Sequence, residues 1–124
     1  VLYYQQKFKK GFYSMTGLTN KKCEPCRIGT PPLTKQEIEA LLPQLSSQWI
    51  VVDDHHLERQ FSFPDFKSAL DFTVKVGQLA EQEGHHPDIQ LSWGKVKITL
   101  FTHKIKGLSL NDFILSSKID RIIV

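Results

Sequence analysis

The chain has 124 residues, 40% of them hydrophobic and 23% charged, with 16 basic against 13 acidic side chains. That length suits one domain with its own core, and that balance excludes a disordered chain. No apolar run reaches the roughly 18 residues of a membrane span, and a formal net charge of +3 decides nothing until its position is known.

The surplus lies at the front. Lys7, Lys9 and Lys10 fall within residues 1–14, which hold no acid, and from Met15 onward bases and acids balance. The body is therefore neutral, and neither nucleic acid nor a membrane is expected as a partner. Basic, acid-poor leaders target organelles, so the front reads as a leader remnant or as a tail without its own function. We expect an intracellular protein, cytoplasmic or, if the front is a leader, organellar. Residues 1–31 are read as an N-terminal extension and 32–124 as the domain. In the extension Cys23 and Cys26 form a CEPC pair. Such a pair serves redox chemistry or half a zinc site. No second CxxC follows, and the neighbours His55 and His56 are poor completing ligands. Incidental or structural thiols in a reducing compartment are the expectation.

Thr34-x-x-Glu37 is a capping-box pattern and predicts a short helix with Ile38, Leu41 and Leu42 on its buried stripe, ended near Pro43. Trp49 to Val52 reads as a strand and Asp53-Asp54-His55 as a turn. Leu57, Arg59, Phe61 and Phe63 then alternate with polar residues, the period of a second strand. Arg59 on that apolar face requires an edge position or an acidic partner. The longest helical pattern runs from Phe66 to Glu83, with Phe66, Ala69, Leu70, Thr73, Val74, Gly77 and Ala80 as its stripe. Gly77 suggests a close neighbour there, because glycine costs about 1 kcal/mol in a helix. Phe72, Val76 and Leu79 widen the apolar surface beyond one stripe.

Gly84 is a natural helix-ending glycine and Pro87 secures the stop. Ile89, Leu91 and Trp93 alternate, Gly94-Lys95 reverses the chain, and Val96, Ile98 and Leu100 form a core face, with His103 at the end of this strand on the opposite face. Ser109-x-x-Asp112 opens a last helix carrying Leu110, Phe113, Ile114, Leu115, Ile119, Ile122 and Ile123. Its apolarity, with Phe72, Val76 and Leu79, suggests subunit contacts. The order α-β-β-α-β-β-α predicts an α+β domain: a four-stranded, mainly antiparallel sheet with helices packed on one face.

His85 and His86 follow a helix end, His103 ends a strand, and Asp112 begins a helix, so three elements can surround one cleft. Imidazoles divide proton transfer between them near neutral pH, and a carboxylate fixes the tautomer of one. No GxSxG or HExxH is present, which argues against nucleophilic catalysis and against a metal site on His85, His86 and His103.

Glu81-Gln82-Glu83-Gly84-His85-His86-Pro87, then Trp93, His103 and Asp112, resembles the signature of the pterin-4a-carbinolamine dehydratases. The likeness extends over residues 32–124. It implies dehydration of 4a-hydroxytetrahydropterin to quinonoid dihydropterin in pterin recycling, a hydro-lyase activity. It implies no metal and no cofactor, since the substrate is itself a pterin. In the resemblance His85, His86 and His103 line the pterin site, with one of His85 and His103 as base and the other as acid. His86 binds the substrate, Asp112 orients an imidazole, Glu81 binds pterin or supports His85, and Pro87 holds the pair rigid. The family also implies a homodimer by sheet extension or a homotetramer through helices, and for some members a protein partner on an apolar helical surface. A pterin-binding or protein-binding domain with little catalysis is the alternative.

Overall fold

The computed structural model describes residues 17–122. The readings made for Lys7, Lys9 and Lys10 and for Ile123 fall outside them. Helix α1 (Lys35–Leu41) starts where the Thr34 hydroxyl and the Glu37 carboxylate accept each other's backbone N–H groups. It buries Ile38 and gives way to a 3-10 turn, Leu42–Gln44, that contains Pro43. Strands β1 (Ile50–Val52) and β2 (His56–Ser62) are joined through Asp53 and Asp54, both at positive φ. Two such residues give the turn whose twist matches a hairpin, and aspartate tolerates that conformation. Helix α2 (Phe66–Glu83) is capped by Asp65, whose carboxylate accepts from Ser68 N at 2.8 Å.

Strands β3 (Asp88–Ser92) and β4 (Lys95–Leu100) follow, then helix α3 (Leu110–Ile122). All pairings are antiparallel and the spatial order is β1-β2-β4-β3. The α+β class and the element order are those expected. Val96, Ile98 and Leu100 of central β4 and Leu57 and Phe61 of β2 meet Ala69, Phe72 and Val76 of α2 and Phe113, Leu115 and Ile119 of α3 in one core. Leu18 joins that core, with Cys23 packed against it. Among the described residues no helix is long and apolar enough to cross a membrane.

Four details correct the expectations. The buried stripe of α2 is Ala69, Phe72, Val76 and Ala80, whereas Phe66, Leu70 and Val74 are exposed. Both sets recur at helical spacing; packing selects one, with the Phe72 ring 4.6 Å from Phe61 and 5.1 Å from Phe63. Phe72, Val76 and most of α3 are therefore core, whereas Leu79 and Ile122 are partly exposed and Leu110 is exposed. Gly77 has no close neighbour: a Cβ there would meet nothing within 4 Å. The second hairpin turns on Trp93-Gly94 rather than Gly94-Lys95, since Lys95 already pairs with Ser92. His103 lies beyond β4, in a 3-10 turn (His103–Ile105), because the chain leaves the ladder to pair Thr102 with Gly107. Arg59 has its acid: it donates to Asp120 Oδ1 at 2.6 Å, beside the Trp49 indole N–H donating to the same oxygen at 2.7 Å.

Candidate active site

The site begins with the end of α2. Gly84 takes φ 66, ψ 23, the left-handed conformation that costs glycine little, and turns the chain off the helix axis. The next residue, His85, thereby points back toward the start of α3. Its Nε2–H donates to Asp112 Oδ1 at 2.6 Å, between groups 27 positions apart. Asp112 is completely buried, and the His85 side chain is 13% exposed.

A buried carboxylate is costly unless its lone pairs are used. Asp112 uses them. Its Oδ2 accepts from the Thr102 hydroxyl at 2.9 Å and from Ser109 N at 2.9 Å. Thr102 and Ser109 hydroxyls lie 2.7 Å apart. The Ser109–Asp112 motif thus delivers one half of a capping box, the carboxylate on the N-cap N–H, while the Ser109 hydroxyl is committed to Thr102. Asp112 keeps its helix-starting function and still has an oxygen for His85. With Nε2–H held there, the neutral ring carries its lone pair on Nδ1, the nitrogen left to exchange a proton.

His86 pairs separately, its Nε2 reaching Glu81 Oε2 across one turn of α2, and both side chains are exposed. Pro87 is partly buried directly behind them and leads into β3. His103 is exposed and its ring packs on Phe101, tilted by 40° with centroids 4.1 Å apart. Phe101 also packs against His55 at 4.7 Å. The backbone ties His103 to the first pair, since its neighbour Thr102 is the hydroxyl on Asp112. The residues singled out in the sequence are thus held as two hydrogen-bonded pairs, His85–Asp112 and His86–Glu81, with His103 on the loop that braces the first. Trp93, part of the same sequence pattern, stands 70% exposed at the β3–β4 turn.

Thr102, the buried donor to Asp112, escaped the sequence reading. The available signal was a hydroxyl residue directly before a candidate histidine. Cys23 and Cys26 are free thiols. Burial, and then the neighbouring Glu83 carboxylate, push the Cys23 thiol up to about 12. For Glu83 itself burial acts upward, but the Cys23 N–H and the Lys118 ammonium outweigh it and hold the carboxyl below its ordinary value. Among the described residues no three His, Cys, Asp or Glu side chains converge as a metal site.

A protein-family profile described as Pterin 4 alpha carbinolamine dehydratase matches residues 31–122. An Alkaliphilus metalliredigens protein named, provisionally, a pterin-4-alpha-carbinolamine dehydratase is 60% identical over 107 residues, 86% of this chain and 96% of that protein. A Rubrobacter xylanophilus protein of the same provisional name is 52% identical over 108 residues, 87% of this chain and all of that protein. The chain is also similar to a crystal structure from Brucella melitensis described as a transcriptional coactivator/pterin dehydratase. There the TM-score is 0.68 at 32% identity, over 73% of this chain and 97% of that one.

Proposed function

This chain belongs to the pterin 4 alpha carbinolamine dehydratase family, and from that membership we propose that it removes water from 4a-hydroxytetrahydropterin to give quinonoid dihydropterin. The observation that carries the reading is the buried Asp112 carboxylate held on His85. Dehydration breaks the C4a–O bond, removes the N5 proton and leaves a C4a=N5 double bond, with water as the other product. It needs a base at one atom and an acid at its neighbour.

In our reading His85 is the base. As Nδ1 takes the N5 proton, the ring becomes an imidazolium whose Nε2–H already faces the Asp112 carboxylate, and the opposite charge stabilises it. His103 is the acid, giving a proton to the departing hydroxyl. The exposed His86–Glu81 pair binds the polar edge of the pterin, with Pro87 fixing the pair against the helix end. Each placed acid or base is typically worth roughly 10²- to 10⁴-fold in rate. These are proton transfers alone, so we propose no metal and no cofactor beyond the pterin substrate. The product is an oxidised dihydropterin, so a reducing reaction must follow if the pterin is to be reused.

The test is stopped-flow decay of freshly generated 4a-hydroxytetrahydropterin. Wild type should exceed the uncatalysed rate, and His85→Ala and His103→Ala should each lose most of the excess. Wild type at the uncatalysed rate would overturn the reading.

A second reading concerns partners, and Phe66, Leu70 and Val74 favour it. These three residues lie exposed along one face of α2, outside the core. We propose that this ridge, in place of the surface expected from Phe72, Val76, Leu79 and the last helix, carries homo-oligomer contacts. Light scattering should then show Leu70→Gln to be smaller in mass than wild type. An unchanged mass would remove the ridge from assembly and leave it open to a foreign protein partner.

A further inference from the structure

The CEPC segment has no place in the proton transfers above, yet it is fastened at two points that matter to them. Cys23 N donates to Glu83 Oε1 at 3.0 Å. Glu83 is two positions before His85, separated from it only by the turning residue Gly84. Glu24 N donates to Asn111 Oδ1 at 2.9 Å, and Asn111 Nδ2 returns a hydrogen bond to Glu24 O. The Cys23 thiol donates to Asn111 O at 3.5 Å, and Asn111 Nδ2 reaches Cys26 Sγ at 3.8 Å. Asn111 directly precedes Asp112. One short segment therefore grips the last turn of α2 and the first turn of α3, next to each member of the His85–Asp112 pair.

We propose that Cys23–Cys26 is a brace that sets the His85–Asp112 separation, with Glu83 and Asn111 as the positioning residues through which it acts. The inference rests on the dehydratase reading of His85. Its physical basis is that a 2.6 Å contact between the ends of two helices tolerates little relative movement. Lys118 Nζ on Glu83 Oε2 at 2.7 Å ties α3 to α2 directly. The brace adds a second tie whose attachments bracket the pair. Asn111 is nine-tenths buried and engages Glu24 at both ends of its amide, so its side chain has one orientation. Glu83 is spent on Cys23 N and Lys118 and is not free to serve the substrate. The thiols suit a fixed brace better than a reactive couple, because Cys23 stays protonated over the physiological range.

The test is a double-mutant cycle on the full chain, pairing Asn111→Ala with His85→Ala and reading kcat, KM and the thermal midpoint of each variant. Asn111→Ala should lower kcat roughly ten- to hundredfold with KM within about twofold, since misplacement of a working group falls on the chemical step. In the His85→Ala background the same change should cost less than about twofold, because no imidazole remains to be placed. An equal loss in both backgrounds, or no loss of kcat in folded Asn111→Ala, would overturn the brace and leave the dehydratase reading intact. If His85→Ala matches wild type, the catalytic role of His85 falls and the brace with it. Should Asn111→Ala fail to fold, Glu83→Ala carries the same cycle by removing the acceptor of Cys23 N, with Lys118→Met as the control that breaks only the direct tie, and the same outcomes decide.

Discussion

The Asp112 carboxylate sits 2.6 Å from the His85 ring while its other oxygen receives Thr102 and the N-terminal N–H of its own helix turn. One side chain therefore starts α3, anchors the loop before it and orients an imidazole at the end of α2. Fold and candidate chemistry share this residue, so its substitutions should touch both.

Asp112→Asn separates the two. The amide keeps the shape and one carbonyl oxygen but cannot stabilise an imidazolium. Either its carbonyl faces the Thr102 and Ser109 donors or it faces His85, and the other side loses an acceptor. We expect kcat to fall roughly tenfold to a thousandfold and stability to fall by about 1–3 kcal/mol. Stopped-flow rates and urea midpoints on the same preparation check this; unchanged kcat with lowered stability would make Asp112 a purely structural residue.

Thr102→Val removes the hydroxyl at nearly constant volume. It leaves the Asp112 oxygen one donor short and the Ser109 hydroxyl without its partner in a buried setting. The expected cost is about 1–3 kcal/mol, seen as a lower urea midpoint. Because the same loop carries His103, kcat should drop as well, by less than in His103→Ala. A variant as stable as wild type would contradict the network.

Much of this was legible in the residues, and the exceptions have physical reasons. The bounds of α2 were legible because Gly84 and Pro87 mark its end and Phe66 starts its pattern. The phase of α2 was not, because Phe66, Leu70 and Val74 repeat at the same spacing as Phe72, Val76 and Ala80. Tertiary packing chooses between them, through the Phe61 and Phe63 rings on Phe72 and the shared core with β4 and α3. Arg59 declared that it needed an acid, but Asp120 lies 61 positions away and no local pattern points to it. The histidines and Asp112 stood out as residue types at suggestive places. Their pairing did not: which ring meets Asp112 depends on the Gly84 turn and on the Thr102–Gly107 bridge that lifts His103 off the strand.

Two glycines should respond in opposite directions. At Gly77 a methyl group meets nothing within 4 Å in the middle of α2, so Gly77→Ala should stabilise by about 0.5–1 kcal/mol through helix propensity and a less free unfolded chain. At Gly107 the added Cβ would fall 2.8 Å from Cβ of Pro32, a stiff ring that cannot swing aside. Gly107→Ala should therefore displace the loop that holds Thr102 and lower the urea midpoint. Equal midpoints for the two variants would count against both packing arguments.

The pH dependence of stability should narrow from both sides through the brace. Glu83 has its carboxyl lowered in the fold, so between its unfolded value of 4.5 and the lower folded value the unfolded chain binds the extra proton. That stabilisation is complete above 4.5 and is lost as pH falls through the folded value. Cys23 runs the other way. Its thiol is raised from 9.0 to about 12, so from pH 9 upward the unfolded chain releases a proton that the fold retains, and stability declines. Urea midpoints measured from pH 3 to 11 should show both limbs. Glu83→Gln should flatten the acid limb, and Cys23→Ser should flatten the alkaline one. At pH 8, iodoacetamide should modify Cys23 far more slowly in the folded chain than in urea. Equal rates in the two states would mean that Cys23 is neither sheltered nor held protonated by Glu83.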